Sequence, residues 1–80
     1  MNIKDLTVDR FDALCRLKGI KRNELATRAG VTPSSVYSMF NPKRRNISLL
    51  MVKKLCDGLD ISVAEFFNTK EFAELEQEIK

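Results

Sequence analysis

The groups able to do chemistry in this 80-residue chain are basic, hydroxylic and amide side chains crowded into its middle. Between Arg16 and Lys54 stand ten bases against one acid, Glu24, although the whole chain nets only +3. Lys43, Arg44 and Arg45 form an unbroken basic triplet, and Thr32, Ser34, Ser35, Tyr37, Ser38 and Asn41 set uncharged donors and acceptors just before it. Cations at the margin of a neutral hydrogen-bonding face suit a polyanion whose backbone is neutralised and whose edges are read. The plainer reading of each part is also open: basic triplets are usually solvated loops, and serines usually face solvent. Their placement on secondary structure decides between these.

What is missing narrows the chemistry. There is no His and there are two Cys, so neither the usual zinc ligand sets nor a His-dependent nucleophilic triad can be assembled within one chain. There is no Gly-rich phosphate loop either, so we expect no enzyme, no cofactor and no small-molecule substrate. Cys15 and Cys56 each sit among apolar residues at helical spacing, where a free thiol behaves as a small hydrophobe; both are expected to be reduced and buried. The longest apolar run, Leu49 to Val52, is far short of a membrane span, and the first ten residues lack the apolar core of a signal peptide. A cytoplasmic location without membrane contact is the expectation.

The elements that must position these groups are helices. A hydrophobic share of 44% suits a globular domain, and the apolar positions recur at three and four rather than two. Thr7 is placed to cap the first helix, with Leu6 and Phe11 as a hydrophobic staple and Val8, Phe11, Leu14 and Cys15 along one face, until Gly19 stops it. A second helix runs from about Arg22 to Ala29 and ends at Gly30. Thr32 caps a third, from Pro33 at its first position to about Phe40. Ser48 caps a fourth, with Val52, Leu55, Cys56 and Leu59 inward, and Ser62 with Glu65 makes a capping box for a fifth. From Asn68 onward, Phe72, Leu75 and Ile79 draw a narrow apolar stripe on an acidic segment, with Glu71 placed to close a further box. The chain therefore divides into a domain over residues 1–67 and a C-terminal acidic amphipathic helix or tail over 68–80.

Two helices joined by a Gly-containing turn, spanning about residues 22–40, have the pattern of a helix-turn-helix. Helices that cross steeply need a small residue where they touch, and Ala26 stands there beside Leu25. Gly30 supplies a positive φ, Val31 plugs the gap, and Val36, Met39 and Phe40 anchor the second helix. Stepping 100° per residue from Val36 puts Ser34, Tyr37, Ser38 and Asn41 on the opposite face, with Ser35 at its edge. Arg22 lies at one margin of that face and Lys43, Arg44 and Arg45 at the other, where phosphates of a duplex would run. Tyr37 has two readings of equal weight, a half-buried packing aromatic or a contact to phosphate or base.

With those residues in place, the segment from Phe11 to Phe67 resembles the lambda-repressor-like, Cro-type (XRE) helix-turn-helix family of bacterial and phage regulators. The matching points are Glu24-Leu25-Ala26, Gly30-Val31, Val36, Asn41, Ile47-Ser48, Leu55, Leu59, Ile61-Ser62 and Glu65-Phe66-Phe67. The resemblance implies an all-α, five-helix domain that binds duplex DNA in a sequence-specific way as a transcriptional regulator, a repressor, with the helix 33–40 in the major groove. It also implies a homodimer, at least on DNA. By the same resemblance Arg22, Thr32, Ser34, Ser35, Tyr37, Ser38, Asn41, Lys43, Arg44 and Arg45 are the DNA-binding candidates.

Four departures from the family pattern shape these expectations. Lys21-Arg22 replaces a common Thr-Gln, exchanging a neutral backbone contact for a cationic one. Pro33 occupies a place where relatives often put a base-reading side chain, and it has no donor to offer. Cys15 stands where Arg is common, and Asp60 where Gly is common. Leu50 and Met51 lie at or beyond the edge of the buried side of the fourth helix, so either the C-terminal apolar stripe folds back over them or a second subunit does. The alternative function is a protein-interaction module or antitoxin-like adaptor on the same fold, its acidic tail docking a basic partner.

Overall fold

The computed structural model describes residues 2–44 and 46–75, and within them the chain is all-α. Six helices follow one another: α1 (Ile3–Lys18), α2 (Arg22–Ala29), α3 (Pro33–Phe40), α4 (Leu49–Gly58), α5 (Val63–Phe67) and α6 (Lys70–Ala73). Five of the six start under a side chain that accepts a hydrogen bond from an orphan backbone amide, which is why the boundaries fall where they do. Asn2 accepts from the Asp5 amide, Thr32 from Ser35, Ser48 from Met51, Ser62 from Glu65 and Thr69 from Phe72. Lys21, ahead of α2, makes no such bond.

Two expected caps are corrected. Thr7 does not open α1; it lies inside the helix, fully buried, and its hydroxyl donates to the Ile3 carbonyl at 2.7 Å. Asn2 had the right chemistry further upstream, and the buried contact of Thr7 is compatible with a continuous helix because a threonine hydroxyl can bond back to residue i−4. At the other end Thr69, not Asn68, caps α6. That helix is a single turn in the described residues, and Ile79 lies outside them.

The core is built from every helix through α5. Phe11, Leu25, Ala26, Val36, Leu55, Cys56 and Phe66 are wholly buried. The Phe11 ring lies between Phe66, 4.3 Å away by centroid, and Phe40, at 5.8 Å, so it joins α5 to α3. At Gly58 a Cβ would come within 2.9 Å of the Ala29 backbone nitrogen, so the end of α4 presses directly on the end of α2. Burial pushes the Cys56 thiol up to about 11 and raises Cys15 as well, which keeps both as uncharged free thiols at neutral pH.

Phe72, the first residue of the C-terminal apolar stripe, folds back, but elsewhere than on Leu50. Phe72 packs edge-on against Phe67 with centroids 4.8 Å apart and flanks a depression shared with Leu6 and Ala13 of α1. Leu49 and Leu50 remain 73% and 65% exposed. The physical reason is proximity: α6 follows α5 after two residues, so the aromatic cluster of Phe66 and Phe67 is the nearest apolar surface it can reach.

Candidate nucleic-acid interface

The turn between α2 and α3 is made by Gly30 at φ 72°, in the left-handed region that costs a residue with a Cβ free energy. Its N–H donates to the Thr27 carbonyl, and the Val31 N–H donates to Ala26 at 3.0 Å, so the last carbonyls of α2 are satisfied as the chain reverses. Ala26 has no exposed surface, and Val36, Met39 and Phe40 are all buried, which fixes the roll of α3 about its own axis. With that roll fixed, the side chains on the far face are held outward.

Those outward groups are hydroxylic and uncharged. Thr32 and Ser34 are exposed, Ser35 and Ser38 half-buried, and Tyr37 is 52% exposed, so about half of it is presented to solvent. The Thr32 hydroxyl lies 2.8 Å from that of Ser35 and 3.2 Å from that of Ser34, a cluster that can donate or accept by rotating its hydrogens. At the end of α3, the Asn41 side-chain oxygen accepts from the Lys43 amide and the Asn41 carbonyl accepts from the Arg44 amide. This tight turn swings Lys43 and Arg44 into solvent beside the exposed face, and neither side chain has a partner among the described residues. Arg45 lies outside the described residues.

An open depression of about 740 Å³ runs along this face, between α3 and the start of α4, and is lined by Ser34, Ser35, Ser38, Arg44, Asn46 and Ser48 over a floor of Met39, Ile47 and Met51. Asn46 and Ser48 were not among the expected site residues; their signal was their place directly after the basic triplet. Lys4 was missed too. It is 3% exposed, and its ammonium donates to the Asn41 carbonyl from α1, bracing the turn that carries Lys43 and Arg44. A lysine on a first helix reads as surface charge, so nothing in the sequence marks it.

Arg22 stands apart from the other candidates. Its Nε and Nη2 donate to the two oxygens of Asp12 at 2.9 and 2.6 Å, and its guanidinium lies 4.8 Å from the centroid of the Phe40 ring. The Asp12 hydrogen bond raises the pKa of Arg22 above its ordinary value, against the opposing effect of burial. The structure thus brings together Thr32, Ser34, Ser35, Tyr37, Ser38, Asn41, Lys43 and Arg44, and ties Arg22 to α1 instead.

A family model described as helix-turn-helix matches residues 12–66, which takes in the motif and every helix from the second half of α1 to α5. Among solved structures, the chain is similar to one described as the crystal structure of the prophage Lp1 protein 11, with 26% identity and a TM-score of 0.82, over 94% of this chain and 100% of that one. No curated protein matches it. No helix among the described residues is long and apolar enough to cross a membrane.

Proposed function

The chain belongs to the lambda-repressor-like (XRE) helix-turn-helix family of DNA-binding domains, and from that premise we propose that it is a small transcriptional regulator, a repressor, that recognises a specific duplex sequence. The observation that carries the reading is the outward face of α3: uncharged, hydroxyl-rich, held in one orientation by Val36, Met39 and Phe40, and bordered by Lys43 and Arg44. Short neutral side chains can meet base edges in the major groove without the desolvation cost of an ion, while the bordering cations take phosphates. Thr32, Ser34, Ser35, Tyr37, Ser38 and Asn41 are assigned to the groove, Lys43, Arg44 and Arg45 to the backbone. A second copy of the chain bound on an adjacent half-site would give the operator two-fold symmetry, and the exposed Leu49 and Leu50 are apolar surface available to such a pairing.

Fluorescence anisotropy tests this with a duplex from the gene's own promoter and a scrambled duplex, each over a range of salt. Preference for the promoter that persists at higher salt is the expected result. Binding that is equal for both duplexes and erased by salt would defeat the repressor reading for that promoter. Arg44→Ala is expected to weaken binding to every duplex alike and to flatten the logarithmic salt dependence by about 0.9, the release associated with one phosphate contact. An unchanged slope would remove Arg44 from the backbone contacts.

A further inference from the structure

Arg22 opens the first helix of the motif, in a position from which a cation would meet the duplex backbone, yet it is already committed. We propose that Asp12 withholds Arg22 from DNA, so that this internal ion pair limits how many phosphates the domain neutralises. The inference rests on the DNA-binding reading above and concerns the charge balance at its α1–α2 edge.

Three observations carry it. The pair is bidentate, with both Asp12 oxygens bound by one edge of the guanidinium, a geometry that fixes a planar cation better than a single contact does. It is partly sheltered: the two side chains are 32% and 27% exposed, and Phe40 covers one face of the guanidinium. It also has an acidic setting. Asp5, Asp9 and Asp12 follow one another along α1 at spacings of four and three, and all three line one depression with Arg22, Phe40 and Pro42. A phosphate moving toward Arg22 therefore approaches carboxylates as well as a cation. An Arg22 that stays with Asp12 neutralises no phosphate and so releases none of the counterions condensed on the DNA, whereas Arg44, on the opposite margin, has no carboxylate partner among the described residues.

The opposite role for the same geometry is a buttress, in which Asp12 aims the remaining Nη1 group of Arg22 at a phosphate. The two roles predict effects of opposite sign. If Asp12 withholds Arg22, Asp12→Asn releases a cation and strengthens binding; if Asp12 aims it, the same substitution weakens binding.

The measurement is anisotropy with a labelled mixed-sequence duplex, from about 50 to 200 mM salt, on wild type, Asp12→Asn, Asp5→Asn and Asp12→Asn combined with Arg22→Gln. Asp5→Asn makes the same change in net charge without releasing Arg22. Asp12→Asn is expected to steepen the logarithmic salt slope by about 0.9 beyond Asp5→Asn, so that its advantage at the low end of that range exceeds its advantage at the high end about threefold. Adding Arg22→Gln is expected to remove the increase. Equal slopes for Asp12→Asn and Asp5→Asn, an increase that survives Arg22→Gln, or weaker binding by Asp12→Asn would each overturn the proposal.

A measurement on the unaltered protein covers the case in which a variant does not fold. The Nε–H resonance of Arg22 is expected to keep its chemical shift and its protection from exchange when the duplex is saturating, because its bond to Asp12 persists. A shift or loss of protection on binding would show Arg22 passing to phosphate. Wild type that binds no duplex at any salt would defeat the DNA-binding reading itself. Wild type that binds while Asp12→Asn behaves as Asp5→Asn would defeat this inference alone.

Discussion

The same backbone turn recurs at Gly19, Gly30 and Asp60, and two of the three copies lead into a helix capped by a side chain. Between α2 and α3, Gly30 takes a left-handed φ of 72°, Val31 donates back to Ala26, and Thr32 caps the helix that follows. Between α4 and α5, Asp60 takes φ 56°, Ile61 donates back to Cys56 at 3.1 Å, and Ser62 caps the next helix. The hydrogen bonds have the same offsets along the chain, so the backbone device is one and the same. What differs is the cargo. α3 keeps Val36, Met39 and Phe40 in the core and turns hydroxyls and Tyr37 to solvent, whereas α5 puts Phe66 and Phe67 under Phe72, with the Arg10 side chain donating to the carbonyls of Phe66 and Glu65. Turn chemistry makes the fold; the side chains of the second helix decide whether that helix turns hydroxyls to solvent or closes an aromatic cluster.

Substitution in each second helix should separate those roles. Phe66→Ala is expected to have the largest effect, a loss of about 3–5 kcal/mol of stability, since it removes a fully buried ring that packs on Phe11, Phe67 and Phe72. Urea denaturation reads this directly, and a loss under about 1 kcal/mol would show that α5 contributes little to the core. Ser34→Ala and Tyr37→Ala are expected to leave the denaturation midpoint nearly unchanged while altering preference among duplexes by about 1–3 kcal/mol for each base edge that goes unread. Equal weakening on every sequence would move those residues to the backbone, and a stability loss comparable to that of Phe66→Ala would erase the contrast between the two helices.

Local signals were legible wherever one residue type can do one job. Thr32-Pro33, Ser48 and Ser62 marked helix starts, and Gly30 marked the motif turn, because capping and positive φ depend on neighbours within a few residues. Thr7 misled for the same reason: a threonine ahead of an apolar face has the chemistry of a cap, and only its burial against other helices shows that it lies within one. The candidate site was legible as a face of α3 and a basic segment after it, but the charged contacts behind it were not. Lys4 reaches Asn41 across 37 positions, and Asp12 reaches Arg22 across ten and between two helices. No periodicity encodes such pairs. A charged residue gives the same local pattern whether it is solvated, braces a turn or neutralises a neighbour, and the distinction arises only when packing brings the two elements together.

The smallest effect tests the two capped turns themselves. Asp60 holds a left-handed conformation without being glycine, and no Asp60 side-chain bond is present among the described residues to offset that strain. Glycine would relieve about 1 kcal/mol of backbone strain and give part of it back through the greater freedom of the unfolded chain. Asp60→Gly is therefore expected to stabilise by roughly 0.5 kcal/mol, a rise of about 2–4 °C in Tm for a domain of this size. Gly30→Ala should move the other way by about 1 kcal/mol, and the cost would be conformational, because a Cβ at Gly30 meets nothing within 4 Å. Differential scanning calorimetry of the two variants compares the turns under one condition. Opposite shifts would establish that both turns are governed by the same left-handed requirement, met by Gly30 and only tolerated by Asp60. A destabilised Asp60→Gly would mean that the aspartate side chain contributes more than its backbone costs, and the two turns would then be alike in geometry but not in energetics.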